Sequence, residues 1–206
     1  MATRSRGIAF VAIVWSLGVA HPDQGVLAEP AALTLCVRVD DRAAVPDDVL
    51  TSAKTVATRI YAKIDVRLVW AVGTTTHGKS DACHGRDAAP SLRMIIVPHG
   101  QAEHLDADSK KLGLAAGSEG QHGTVAYVFY DRVRNLSVRY EQHGRGGVLG
   151  HVMAHEIGHL LLPYGTHSET GLMRADWSHD DLEHAAHGTL LFTSDEAALI
   201  QKKLEK

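Results

Sequence analysis

One short segment of the chain carries the residue types that could do chemistry. It reads HVMAHEIGHLLLPYGTHSETGLM and spans residues 151–173. On a helix, a four-residue spacing places the imidazoles of His155 and His159 within about 40° of each other, so both rings can reach one metal ion. Glu156 is rotated by about 100° from His155. We therefore expect Glu156 to stay outside the coordination shell and to act as a general base on a water at the metal.

A third ligand has to come from outside this helix. A catalytic zinc site takes three protein ligands and keeps one position open. Pro163 is expected to end the helix, and Gly165 can support a sharp turn with positive φ. The chain can then fold back and bring His167 to the same metal, with Glu169 as the competing ligand and Asp176 as a more distant one. We predict His167, because imidazole is a common zinc donor and this one directly follows the turn.

Three further residues lie close to these positions along the chain. His151 is one helical turn before His155, and we interpret it as a supporting or surface residue, because a general base must follow the first ligand. Tyr164 could stabilise an oxyanion or could pack in the core. Gly158, beside the second histidine, leaves room for the close approach of another element.

The HEIGH segment, with a downstream histidine and then GLM, resembles the metzincin clan of zinc peptidases. Those proteins share His-Glu-x-x-His-x-x-Gly-x-x-His (or Asp) on a helix, followed by a Met-turn beneath the metal. The resemblance implies that His155 and His159 are ligands, that Glu156 is the base and that Met173 forms the Met-turn. A buried core methionine is the alternative interpretation of Met173.

The segment also departs from the clan's pattern. Leu162 stands where the clan has its glycine, and Gly165 stands at the position of the third ligand, so that His167 comes two residues late. The segment is similar as well to a group of exported bacterial proteins with His-Glu-x-x-His-Leu-Leu-Leu, a short glycine-containing turn, His-Ser and Gly-x-Met. That second resemblance favours His167 as the third ligand.

The start of the chain is typical of a secretory signal peptide. Basic residues precede an apolar run at 7–20, which is too short for a confident membrane span. We predict a signal peptide over 1–28 with cleavage after Ala28; cleavage after Ala20, or an uncleaved anchor, is the alternative. Residues 29–206 would then form a single catalytic domain in the periplasm or outside the cell.

The chain has 2 cysteines, Cys36 and Cys83. In an exported protein, a pair of cysteines most simply forms one disulfide. We predict this bridge, which would tie the first strand to a long loop. The alternative is a pair of free buried thiols.

Hydrophobic periodicity predicts the α/β (α+β) class, with a mixed twisted sheet of about four strands, an active-site helix and a C-terminal helix. The resemblance to the metzincin clan implies that these elements form a single metzincin-like domain. A capping box of Thr193 and Glu196 is expected to start the C-terminal helix. The last strand is expected at the sheet edge over a cleft. The predicted strands cover 33–40, 66–72, 91–98 and 124–133, the helices 46–64, about 146–162 and 192–206, and the long loops 73–90 and 99–123.

These features predict a secreted zinc metallopeptidase that uses Zn²⁺ and Glu156 to hydrolyse peptide or protein substrates. The formal net charge of −3 gives no electrostatic case for nucleic acid, nor for stable membrane association after signal cleavage. One alternative is a non-catalytic exported protein that binds metal through some of its 14 histidines. Another is a degenerate peptidase-fold module with a closed site, in which Glu169 is a fourth ligand.

Overall fold

The computed structural model describes residues 33–71, 83, 88–98, 100–105, 110–118, 121–137 and 142–205. The expected signal peptide and most of the loop at 73–90 lie outside these ranges. The strands are β1 (Leu33–Asp41), β2 (Val66–Ala71), β3 (Ser91–Val97), β4 (Gly113–Ser118) and β5 (Gln121–Phe129). The helices are α1 (Asp47–Ala62), α2 (Gln101–His104), α3 (Tyr130–Ser137), α4 (Gln142–Leu161), α5 (His179–His187) and α6 (Ser194–Leu204). Among these helices, none is both long and apolar enough to cross a membrane.

The strands form one mixed sheet in the order β2-β1-β3-β5-β4. β1 pairs in parallel with β2 and β3, and β3 pairs in parallel with β5. β4 is antiparallel to β5 and occupies one edge. The predicted α/β class with a mixed sheet is confirmed. The described part of the sheet has five strands, so the expected count of about four is one too low.

The additional strand is β4, which lies inside the segment predicted as a long loop, 99–123. Its residues are glycine, alanine, leucine and serine, and it lacks the β-branched and aromatic side chains that mark strands. Its extended conformation comes from pairing with β5, in which Gly113 faces Val128 and Leu114 faces Tyr127. Tertiary pairing therefore decides this strand, and the predicted loop is wrong over these residues.

The predicted fourth strand is also displaced and shortened. β5 ends at Phe129 and lies between β3 and β4, so it is not the edge strand over a cleft. The residues that follow form α3, where Tyr130 and Val133 are buried one turn apart and Asp131 pairs with Arg134 at 2.7 Å. A three-residue spacing of this kind fits a helix and not a strand.

The segment expected to be irregular after α4 contains α5. Ser178 and Asp181 form a capping box at its start, and Gly188 ends it in the left-handed conformation with φ 77°. The capping box predicted for Thr193 and Glu196 is confirmed at the start of α6. Both helices therefore begin where a capping side chain satisfies backbone N–H groups of the first turn.

Helix α4 packs against both the sheet and α1. It contacts β4 and β5 of the sheet, and α1 contacts both α4 and β2. The hydroxyl of Tyr61 in α1 donates to the carbonyl of Ala154 in α4 at 3.1 Å, and both residues are fully buried. Packing against the sheet and against α1 fixes both the position and the rotation of α4. This rotation decides where the side chains of His155, Glu156 and His159 point.

The predicted disulfide between Cys36 and Cys83 is confirmed, with a Cα–Cα distance of 5.8 Å. Cys36 is fully buried in β1, and Cys83 belongs to the connection between β2 and β3. The bridge therefore fixes this connection to the centre of the sheet.

Candidate metal centre

Three histidine side chains converge at the C-terminal half of α4. One ligand atom from each of His155, His159 and His167 lies within 4.8 Å of the others, a spacing that could hold a metal ion. The ring centroids are 4.6 Å, 4.8 Å and 5.8 Å apart for the 155–159, 159–167 and 155–167 pairs. Within the described ranges, no other histidine, cysteine or acidic residue joins this group, so neither Glu169 nor Asp176 does.

A tight turn after α4 brings His167 back to the helix. The backbone N–H of Thr166 donates to the carbonyl of Pro163 at 3.1 Å, and its hydroxyl donates to the same carbonyl at 2.6 Å. Gly165 has φ +72°, as expected for a sharp turn at this position. The helix ends at Leu161, close to the end predicted from Pro163. The positive φ predicted for Gly165 is thus confirmed.

The imidazole of His155 is held in one orientation by a backbone carbonyl. Its Nδ1 lies 2.7 Å from the carbonyl oxygen of Leu172. A carbonyl can only accept, so Nδ1 carries the proton and Nε2 keeps its lone pair for a metal. The indole Nε1 of Trp177 donates to the same oxygen at 3.2 Å. Such a hydrogen bond behind a ligand fixes its ring and raises its basicity.

Burial favours the neutral form of two of the three clustered histidines, His155 and His159. His155 is 9% exposed, and burial lowers its pKa to about 4, against the opposing effect of its hydrogen bond to Leu172. Burial also lowers the pKa of His159 to about 3. Repulsion between the protonated form of His159 and those of His155 and His167 lowers this pKa further. Neutral imidazole is the form that binds metals. At neutral pH, therefore, neither His155 nor His159 has to lose a proton before it can bind.

Met173 is fully buried against the helix that carries the ligands. A Cβ built on Gly158 would lie 2.6 Å from the Sδ of Met173 and 3.1 Å from the ring of Phe192. The expected close approach at Gly158 is thus confirmed. Met173 lies on a turn in which the N–H of Arg174 donates to Gly171 at 3.2 Å. Its packing against Gly158 fits both the Met-turn and the core interpretation, so its role stays a prediction.

The carboxyl group of Glu156 is buried with one oxygen unpartnered. Glu156 is 5% exposed, and its Oε2 has no hydrogen-bond partner. Burial raises the pKa of Glu156 to about 8, opposed by the charge of Lys111. A buried carboxyl that takes up or gives up a proton near neutral pH is suited to proton transfer.

The histidine cluster and Glu156 share one cleft of about 1090 Å³. β4 and the residues before it form one wall, and α4 forms the floor. The segment after α4 supplies the opposite wall, including Tyr164, Ala175 and Trp177. The cleft is large enough for a peptide side chain together with main chain.

The two remaining candidate site residues, Tyr164 and His151, lie in different environments. Tyr164 lines the cleft with 64% of its surface exposed, so the core-packing interpretation of this residue is wrong. His151 is fully buried and outside the cluster, and its Nδ1 lies 2.8 Å from the carbonyl oxygen of Gly147. His151 is therefore not a surface residue, and its supporting role, one helical turn before His155, stays a prediction.

Three contributors to the site were missed by reasoning from the sequence: the carbonyl of Leu172, the indole of Trp177, and Gly113 on β4. A backbone carbonyl leaves no signal in residue types, and Gly113 lay in a segment predicted as loop. The chain matches no protein-family model and no curated protein sequence. Its chemistry is therefore argued from the geometry of the site itself.

Proposed function

We propose that the protein is a secreted zinc-dependent endopeptidase, similar in kind to the metzincins. One observation carries this proposal: a buried carboxyl with an unpartnered oxygen, Glu156, shares a cleft with a three-histidine cluster. Two ligands and an adjacent carboxylate are the arrangement that zinc hydrolases need. A protein that only stores metal has no need of a buried, unpaired acid beside its ligands.

The donor set fits Zn²⁺. Three neutral imidazoles are a known catalytic zinc set, and His155 is oriented by the Leu172 carbonyl. A fourth protein ligand is absent from the described part of the chain, which is consistent with an open position. When bound, Zn²⁺ supplies Lewis acidity, which polarises a substrate carbonyl and makes a nearby water more acidic.

The protein's own groups then move the proton. In its ionised form, which the charge of a bound Zn²⁺ would favour, Glu156 accepts a proton from the attacking water in the cleft and passes it to the nitrogen of the leaving amine. The ligands His155, His159 and His167 hold their geometry through the turn at Gly165 and the hydrogen bond to Leu172. Preorganised groups of this kind cost little reorganisation during the reaction.

The substrate is an extended peptide held on the free edge of β4. The sequence predicted the fourth strand at the sheet edge over a cleft, and the edge strand that lines the cleft is instead β4. Within the described residues β4 pairs only with β5, so its other edge offers main-chain donors and acceptors. A peptide added there would pass over the histidine cluster and Glu156.

Export is supported by the disulfide. Disulfides persist in oxidising compartments, and the Cys36–Cys83 bridge therefore agrees with a secreted or periplasmic location. The signal peptide over 1–28 remains a prediction and supports the same location.

Zinc stoichiometry tests the metal centre. The full chain is purified, dialysed against a zinc buffer and analysed for metal, with His167→Ala and Glu169→Ala prepared in parallel. We expect about one zinc per chain in the parent and in Glu169→Ala, and a large loss in His167→Ala, because only His167 joins the cluster. Retention by His167→Ala together with loss in Glu169→Ala would assign the third ligand to Glu169.

Hydrolysis of an unfolded protein substrate tests the reaction. We expect Glu156→Gln to keep its zinc and to lose activity by about 10²–10⁴-fold, because the amide cannot accept a proton. Glu183→Gln, at an exposed position on α5, is the matched control and should keep full activity. Wild-type rates in Glu156→Gln would refute the mechanism. One tightly bound zinc without any hydrolysis by the parent would favour the non-catalytic metal-binding protein.

A further inference from the structure

The first residue of the edge strand faces the buried carboxyl group of Glu156. A Cβ built on Gly113 would lie 2.5 Å from Oε1, 2.6 Å from Cδ and 2.6 Å from Cγ of Glu156. Carbon–carbon contacts normally begin at about 3.5 Å. Because Cγ is involved as well as the terminal atoms, rotation of the carboxyl group alone would not relieve such a contact. The Glu156 side chain can take its observed position only because residue 113 has no side chain.

Neither backbone is free to move away. Gly113 is paired with Val128 of β5, and the N–H of Phe129 donates to the carbonyl of Leu112 at 2.9 Å. The guanidinium of Arg132 donates to the carbonyl of Lys111 at 2.7 Å. Glu156, in turn, belongs to helix α4, which packs against β4, β5 and α1. Any added volume at 113 must therefore displace the Glu156 side chain.

We infer that Gly113 is a positioning residue for the proposed reaction: it places the Glu156 carboxyl group against the start of β4, beside the histidine cluster. This inference rests on the proposed function and deepens it. One carboxyl oxygen lies against the strand, and Oε2 is left without a protein partner. The same strand supplies the free edge for the peptide, so one element sets the distance between the base and the substrate. Because Gly113 belongs to this strand, the position of the Glu156 carboxyl group and the position of the peptide depend on the same element.

A double-mutant cycle in the metal-free full chain tests the contact without any assay of activity. Gly113→Ala is expected to lower the melting temperature by roughly 3–8 °C, as overpacking in a well-filled site does. In the Glu156→Ala background the same change should have little effect, because the atoms it meets are gone. Should Gly113→Ala alone fail to fold, recovery of folding in the double variant gives the same result. Equal losses in both backgrounds would overturn the inference.

Kinetics of the zinc-loaded proteins test the positioning role. Gly113→Ala should keep about one zinc per chain, since no ligand is touched, and should lose about 100-fold in kcat with KM changed by no more than about threefold. A wild-type kcat in a folded, zinc-loaded Gly113→Ala would overturn the inference. Coupling in the melting temperatures, with no hydrolysis by the wild type, would support the contact and overturn the proposed peptidase function.

Discussion

At the scale of single residues, the carbonyl of Leu172 joins several parts of the site. It accepts from the imidazole of His155 and from the indole of Trp177, while the N–H of Leu172 donates to Leu191 at 2.8 Å. The backbone of this one residue, Leu172, therefore connects α4, the turn bearing Met173 and the segment before α6. The orientation of a ligand ring depends on this backbone atom, which no side-chain substitution at Leu172 removes.

The carboxylate of Asp181 likewise accepts several hydrogen bonds, at the start of α5. Its Oδ2 accepts from the N–H of Ser178 at 2.8 Å, from the hydroxyl of Ser178 at 2.7 Å and from Arg174 at 2.9 Å. Only 14% of its side chain is exposed. Partial burial alone would raise the pKa of Asp181, but the hydrogen bonds from Ser178 and the charge of Arg174 outweigh it and lower the pKa below its usual value. The ionised form is therefore favoured by folding.

We predict a pH-dependent effect of Asp181→Asn. The pKa is lower in the folded state than in the unfolded state, so the stabilisation is complete above about pH 4 and is lost as the pH falls through the folded pKa. At pH 7 the variant should be about 1 kcal/mol less stable, as for other lost capping interactions. The measurement is urea unfolding of the metal-free proteins from pH 7 to pH 3, where the difference should shrink. Asp180→Asn, at an exposed neighbouring position, is the control; a difference that is constant with pH would contradict the prediction.

At the scale of secondary-structure elements, the position of α4 decides the site. The Tyr61 hydroxyl links α1 to the carbonyl of Ala154, the residue before His155, and the Tyr61 ring meets Phe192 edge to face at 5.2 Å. Phe192 in turn lies beside Gly158 and Met173. These contacts of α4 with α1, with the Met173 turn and with the segment before α6 fall at Ala154 and Gly158, next to His155 and His159.

We predict that Tyr61→Phe lowers the free energy of unfolding by about 1 kcal/mol, because it removes one buried hydrogen bond and leaves the ring packing in place. The Ala154 carbonyl keeps its acceptor role within the helix, which limits the cost. Urea unfolding measures the change. Tyr164→Phe removes a hydroxyl from an exposed ring and should leave stability unchanged. An equal loss in the two variants would argue against the α1–α4 hydrogen bond.

The elements differ in how far their sequences determine them. α4 and its ligands were predictable, because helical spacing, Pro163 and Gly165 act locally. β4 was not, because GLAAGS has no strand pattern and its pairing partner supplies the conformation. α5 did carry a local signal, the capping pair of Ser178 and Asp181, which was not used. The contact between Gly113 and Glu156 is purely tertiary, so no local pattern could indicate it.

At the scale of the whole molecule, the disulfide ties the sheet to a connection far from the cleft. It joins residues 47 apart in sequence, from β1 to the segment between β2 and β3. β1 is paired with both β2 and β3, so the bridge closes a loop around the centre of the sheet. Its contribution belongs to the stability of the fold and not to the chemistry of the site.

We predict that Cys36→Ala/Cys83→Ala lowers the free energy of unfolding by about 4 kcal/mol, from the entropy that a loop of this length regains in the unfolded chain. Urea unfolding measures the loss, and reduction of the wild type should reproduce it. The ligands and Glu156 are untouched, so the folded fraction should still bind zinc. Unchanged stability after removal of both cysteines would contradict this account.

The three histidines that could hold a metal ion all come from residues 155–167, whereas Gly113, which faces Glu156, comes from a strand far earlier in the chain. A metal held by so short a segment closes only a small loop, at a low entropic cost. The environment of the carboxyl group, by contrast, requires the long-range pairing of β4. A partly folded chain in which β4 is unpaired would therefore keep the metal ion but lose the hydrolytic activity. Metal content would then measure folding of the 155–167 segment, and hydrolysis would measure folding of the whole domain.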